Sequence, residues 1–182
     1  AEVFGRGFNI VILENHGVVT GGPDLITAYE RMETLEYTAR TLLYSKSLGE
    51  IRRLESKPLL NTWMNPTFST QVDSIDVDAV VLEDSKQMLT SIVQRAYKQH
   101  LMFSTSGSAS VRLDEQSFLV TPYGLDRYWL DPSDLVVIQE NKRTTPHQPT
   151  RLVNLHNAIY RKHKDINAIM TSQSPYGTAF AV

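Results

Sequence analysis

The chain has 182 residues, of which 41% are apolar and 21% charged, with a formal net charge of −2 and no cysteine. Such a composition fits a folded globular chain and excludes a disulfide frame, thiolate metal sites and a cysteine nucleophile. The near-neutral charge, without a basic block, gives no bulk attraction to nucleic acid or anionic lipid. No apolar run approaches a membrane span and no leader pattern follows Ala1, so a cytoplasmic setting is expected, with neither nucleic acid nor membrane as partner.

Phe8 to Leu13 (FNIVIL) is short, apolar and β-branched, which predicts a buried strand ending at Asn15-His16-Gly17. Gly21-Gly22-Pro23 then sets up a helix, with the proline expected in its first turn. Leu25, Ala28, Met32, Leu35, Ala39 and Leu42 recur at helical spacing, Glu30, Glu33 and Glu36 lie near the charged side, and Gly49 is placed to stop the helix. A second short helix is expected over Ile51 to Leu54. Periodicity then fails. Pro58, Asn61, Asn65 and Pro66 punctuate a stretch that reads as a linker over 57–80.

A helix is predicted over 81–99, with Leu82, Met88, Leu89, Ile92, Val93 and Ala96 as its inner face. Residues 109–113 and 117–121 read as two strands of a hairpin around Asp114-Glu115-Gln116. Pro122, Gly124 and Pro132 mark the turns that follow. Another strand is expected at 135–139, a helix at 151–162 and a strand at 166–170. Met32 and Met88 read as core.

Several residues carry candidate chemistry. His16 follows a strand inside Asn-His-Gly, where neutral imidazole is a good zinc ligand; a hydrogen-bonded structural histidine is the other reading. The run Ser104 to Arg112 is small and hydroxyl-rich, and backbone amides around Gly107 could cradle a phosphate, although ordinary Ser/Gly loops have the same composition. Thr121-Pro122-Tyr123-Gly124 is a turn first and a ligand loop second. Arg151, ahead of a helix, has the charge and shape to clamp an anion. His156 reads as a packed helix residue.

The order of these pieces is more informative than any one of them. The segment ENHGVVTGGPDLITAYERMETLEYTARTLL resembles the C-terminal part of the class II aldolase/adducin family. Residues 85–182 resemble the N-terminal half of the same family through STSGSASVRL, FLVTPYGLDR, LDPSDLVVI, LHNAIYRKHKDINAI and SPYGTAF. The order of the halves is inverted, which suggests tandem copies: the end of a first domain (1–56), a linker (57–80) and the start of a second domain (81–182). The resemblance implies a three-layer α/β/α fold with a mixed, largely antiparallel sheet, incomplete in this chain. It also implies homo-oligomers or pairing between the tandem copies.

Active members of that family hold zinc with three histidines, two from a His-x-His pair and one from Asn-His-Gly. A glutamate serves as acid/base, and Ser, Thr, Gly and Asn groups hold a sugar phosphate. Position by position, His16 matches the third metal histidine, implying zinc in the first copy. The His-x-His pair falls on Thr171-Ser172-Gln173 and the glutamate on Leu152. The phosphate-loop asparagine falls on Ser108, beside Gly107. A small hydroxyl residue falls on Tyr123, Gly124 is kept, and a Ser-Ser pair becomes Thr150-Arg151. The resemblance therefore implies part of a metal-dependent sugar-phosphate aldolase, a carbon–carbon lyase, whose second copy is catalytically dead and binds no catalytic zinc. Phosphate contacts would fall to Gly107, Ser108, Gly124, Thr150 and Arg151. A non-catalytic, adducin-like assembly or binding module is the alternative.

Overall fold

The computed structural model describes residues 2–51, 71–140 and 142–181. They group into two units, residues 2–51 with 174–181, and residues 71–140 with 142–173. The expected short helix at 51–54 falls almost wholly outside the described residues.

The second unit is organised by the alternation of its strands. Strands β4 (Ser108–Arg112), β5 (Ser117–Val120), β6 (Val136–Gln139), β7 (Lys142–Arg143), β8 (Ala168–Thr171) and β3 (Gln71–Val72) form one sheet, ordered β3-β7-β6-β5-β4-β8. Every pairing is antiparallel except β3 with β7. Successive strand residues point to opposite faces, so each strand feeds two cores. Ala109, Leu119 and Val137 pack with Leu89, Val93 and Ala96 of helix α3 (Ala79–Lys98). Phe118, Val120, Val136 and Ile138 pack with Val153 and Tyr160 of helix α4 (Val153–Lys162). The result is helix, sheet, helix: the mixed α/β/α arrangement expected from the sequence. Burying each of the Val, Leu, Ile and Phe side chains among these contributes about 1.5–3 kcal/mol.

Helix α3 begins where Asp78 caps it, its carboxylate accepting from the Val80 and Val81 amides at 2.9 and 3.0 Å. Its inner face is narrower than expected. Leu89, Thr90, Val93 and Ala96 are buried, whereas Met88 (69% exposed) and Ile92 face out. Each lies one residue, about 100° of helix rotation, from a buried neighbour. Met88 is therefore not core. Strand β3 lies within the stretch expected to be linker.

In the first unit, helix α1 (Glu2–Gly5) precedes a hairpin, β1 (Ile10–Leu13) with β2 (Gly17–Thr20), and a long helix α2 (Leu25–Leu48) follows. The expected buried strand is in fact half of a two-stranded ribbon, and Ile12 is 73% exposed. The second strand, GVVT, was masked by its glycine and short length. Pro23 precedes α2 rather than entering it. Asp24 is the cap, accepting the Thr27 amide at 2.7 Å. Gly49 ends the helix as expected, its amide donating to Ser45 O. Only Tyr37 and Ser45 of α2 are buried, and Met32 and Leu42 are exposed, so the apolar spacing there does not mark a core. Helix α5 (Pro175–Ala179) packs on α2, with the rings of Tyr44 and Tyr176 stacked 4.3 Å apart.

Candidate functional site

Three loops meet at one end of β4 and β5: residues 104–107 leading into β4, 121–125 leaving β5, and 148–152 leading into α4. Hydrogen bonds tie them together. Thr150 N donates to Thr121 O at 3.0 Å and Tyr123 N to Gln148 O at 2.8 Å, while Pro122 bridges Pro149. Arg127 N donates to Ser104 O at 2.9 Å.

The Arg127 side chain does more. It is only 1% exposed, and its guanidinium reaches Pro122 O (3.1 Å) and Leu125 O (3.1 Å) on one loop. On the other loop it reaches Thr105 O (3.1 Å) and Gly107 O (2.9 Å). Its planar fork suits this task as an ammonium would not. Burial pulls its pKa down to about 10, partly offset by Asp126, so it stays cationic at neutral pH. Burial conversely raises the pKa of the Asp126 carboxyl. Sequence reasoning missed Arg127, because a charged residue in an aperiodic turn carries no pattern of its own.

Gly107 and Gly124 both have positive φ, +79° and +70°. A Cβ at Gly107 would stand 2.9 Å from Met102 Cγ and 3.0 Å from Thr171 O, whereas one at Gly124 would meet nothing. Gly107→Ala should therefore lose about 2–4 kcal/mol from combined strain and overpacking, and Gly124→Ala only about 1 kcal/mol. Urea denaturation of the two variants checks this; equal losses would contradict it.

Beneath the loops runs a buried polar chain. Ser108, Ser110 and Arg112 share the face of β4 that meets α4. His156, fully buried, places Nε2 2.9 Å from Ser108 Oγ and Nδ1 2.6 Å from Ser110 Oγ. Ser110 Oγ is also 2.8 Å from Tyr160 OH. Ser108 Oγ lies 2.8 Å from Thr171 Oγ1, which accepts the Ser108 amide at 2.9 Å. Burial lowers the His156 pKa to about 4, so the ring is neutral at physiological pH. His156 is thus the packed helix residue the sequence suggests.

The Ser108 hydroxyl is spent inside the fold, and Thr150 is nearly buried. The exposed members of the predicted set are Gly124 and Arg151. Arg151 donates to Tyr123 OH at 2.6 Å and stacks on that ring, 4.7 Å from its centroid. Leu152 stands at the start of α4, 40% exposed, without a side-chain cap. Thr171, Ser172 and Gln173 all engage the segment 101–108. Thr171 pairs with Ser108, Ser172 donates to Leu101 O, and Gln173 Oε1 accepts from Ser106 Oγ at 2.5 Å.

His16 belongs to the first unit. It sits in the turn between β1 and β2, exposed, with Nδ1 3.0 Å from Glu14 O. Among the described residues no three His, Cys, Asp or Glu side chains converge as a metal-binding group, and no helix is long and apolar enough to cross a membrane.

This arrangement of sheet and loops is that of a known family. The profile described as Class II Aldolase and Adducin N-terminal domain matches residues 1–43 and 87–182, and the chain belongs to that family. It is 32% identical over 95 residues to the L-fuculose phosphate aldolase of Methanocaldococcus jannaschii, covering 52% of this chain and 51% of that protein. It is 26% identical over 105 residues to the 5-deoxy-D-ribulose 1-phosphate aldolase of Bacillus thuringiensis serovar kurstaki, covering 56% and 49%. A solved L-fuculose 1-phosphate aldolase superposes with a TM-score of 0.51 at 28% identity, over 54% of this chain and 48% of that one. The chain spans about half the length of the curated relatives it matches.

Proposed function

We propose that residues 81–182 are a non-catalytic copy of the class II aldolase fold, kept for binding or assembly within a protein that handles a phosphorylated sugar. The observation that carries this is the wiring of Thr171, Ser172 and Gln173. They stand where the family resemblance places the His-x-His pair, and all three side chains hold segment 101–108 in place. Hydroxyl and carboxamide groups so engaged do not fit a catalytic zinc, which needs three good ligands and an open position. Leu152, at the acid/base position, has no exchangeable proton, and loss of that group alone forfeits about 10²–10⁴-fold in rate. Metal-dependent carbon–carbon cleavage would then rest on the first copy, where His16 is the candidate zinc ligand. The names of the similar aldolases support a sugar phosphate as the ligand class.

For an anion, the chain offers the exposed Gly124 backbone and Arg151, with Gly107, Ser108 and Thr150 shaping the loops beneath. The Arg151 guanidinium already rests on Tyr123, so phosphate would compete with that stack. Titrating the chain with a ketose 1-phosphate should give binding that Arg151→Met weakens at least tenfold. No heat at millimolar ligand would remove the anion-binding role and leave assembly. Homo-oligomer formation or pairing between tandem copies is then the role left to this half.

A further inference from the structure

A cleft lies in the same unit, at the opposite end of β4 and β5 from the three loops. Arg112 pairs with Phe118 at this end, and Ser117 with Gln139. The cleft has a volume of about 140 Å³ and is bounded by the β4–β5 turn, the end of β6 and one side of α4. That is well below the roughly 300–1,000 Å³ of sites for drug-sized ligands. It suits a molecule of a few heavy atoms.

Its floor is apolar and rigid. The Phe118 and Tyr160 rings are buried and pack 5.2 Å apart. Arg112 closes one side, stacked on Tyr160 at 4.7 Å, with its guanidinium fixed by Tyr160 O (2.9 Å), His163 O (3.0 Å) and Ile166 O (3.0 Å). The rim carries charges of both signs: Arg161 from α4, and Glu115 and Glu140 from the strand ends. None of these three takes part in an ion pair among the described residues. Glu140 feels the Lys142 ammonium only at longer range. Asn157 adds a carboxamide to the same wall.

Opposite charges that line one cleft without meeting each other are complementary to a ligand carrying both. We infer that this cleft binds a small zwitterion of the α-amino-acid class. The carboxylate lies on the Arg161 side and the ammonium on the Glu115 and Glu140 side, with the short stem over the aromatic floor. A lone carboxylate or a lone amine would satisfy one side and leave the other charge unpaired, so the site discriminates by requiring both. The cleft shares no residue with the three-loop site and does not depend on the sugar-phosphate reading.

The test is titration of the full chain with alanine, acetate and methylammonium, followed by amide shifts in residues 115–118 and 157–161. Alanine is expected to shift these amides with saturation, and each single-charge probe to bind at least tenfold more weakly. Arg161→Met and the double variant Glu115→Gln, Glu140→Gln should each weaken alanine at least tenfold. These side chains are exposed, so the variants keep the fold, which an unchanged urea midpoint and unchanged amide positions away from the cleft would confirm. Acetate binding as tightly as alanine, or alanine binding unaffected by Arg161→Met, would overturn the inference, as would the absence of any saturable shift.

Discussion

Replacing Arg127 with methionine should cost about 3–5 kcal/mol of stability, a large part of the roughly 5–15 kcal/mol that holds a domain folded. The side chain satisfies four carbonyls in two loops, and it is itself nearly fully buried. Methionine fills much of the volume and none of the hydrogen bonds, so those carbonyls are left facing an apolar group. Arg127→Lys retains the charge but offers a compact ammonium that cannot span both loops, and should recover less than half of the loss. Chemical denaturation of the three proteins measures this. A methionine variant within 1 kcal/mol of the parent would show that the two loops hold each other without the guanidinium.

Acid should destabilise the second unit well before its carboxylates titrate. His156 is fully buried, and burial takes its pKa from 6.5 to about 4. Because the folded-state pKa is depressed, the unfolded chain binds the extra proton between these values. Stability is therefore complete above about pH 6.5 and falls as the pH drops toward 4, by about 3 kcal/mol in all. The structural reason is desolvation: the ring is shut away from water between β4 and α4, where its charged form is disfavoured. Protonation would also turn both ring nitrogens into donors, so the Ser108 and Ser110 hydroxyls would have to reorient to accept. Denaturation midpoints between pH 7 and 5 should follow a one-proton slope of about 1.4 kcal/mol per pH unit below 6.5. In His156→Gln that slope should disappear, although the variant will be less stable throughout. A parent protein flat across this window would contradict the burial of a neutral ring.

The three-layer arrangement was legible through the family resemblance; the short apolar runs of β5 and β6 marked strands, and the structure shows why they are apolar throughout, with Leu119 facing one helix and Phe118 the other. Helix positions were also legible, but exposure was not. Met88 and Ile92 satisfy helical spacing, yet sit one position away from the buried stripe of Leu89, Val93 and Ala96. Strands of two residues, such as β7, carry no periodicity to read. The loop residues Gly107 and Gly124 were visible as turn signals, and the positive φ of each gives the reason for glycine. What spacing could not reveal was how the hydroxyls divide. Ser108 belongs to the His156 network, and Thr171 to the tether of segment 101–108, because those partners are 48 and 63 residues away in the chain. Arg127 was invisible for the same reason: its acceptors are backbone carbonyls, which every sequence supplies.

The division of the chain into the end of one copy, a linker and the start of another remains our proposal for its organisation. Under it, Leu152, Thr171 and Gln173 would be free of catalytic duty in this copy.

Metal analysis of the full chain after equilibration with zinc tests the central claim most directly. The non-catalytic reading predicts no stoichiometric zinc dependent on Thr171 or Gln173. Substituting Thr171→Val together with Gln173→Ala should therefore leave the bound zinc unchanged, whatever His16 retains. One zinc per chain that survives His16→Ala and is lost from the Thr171→Val, Gln173→Ala variant would contradict it.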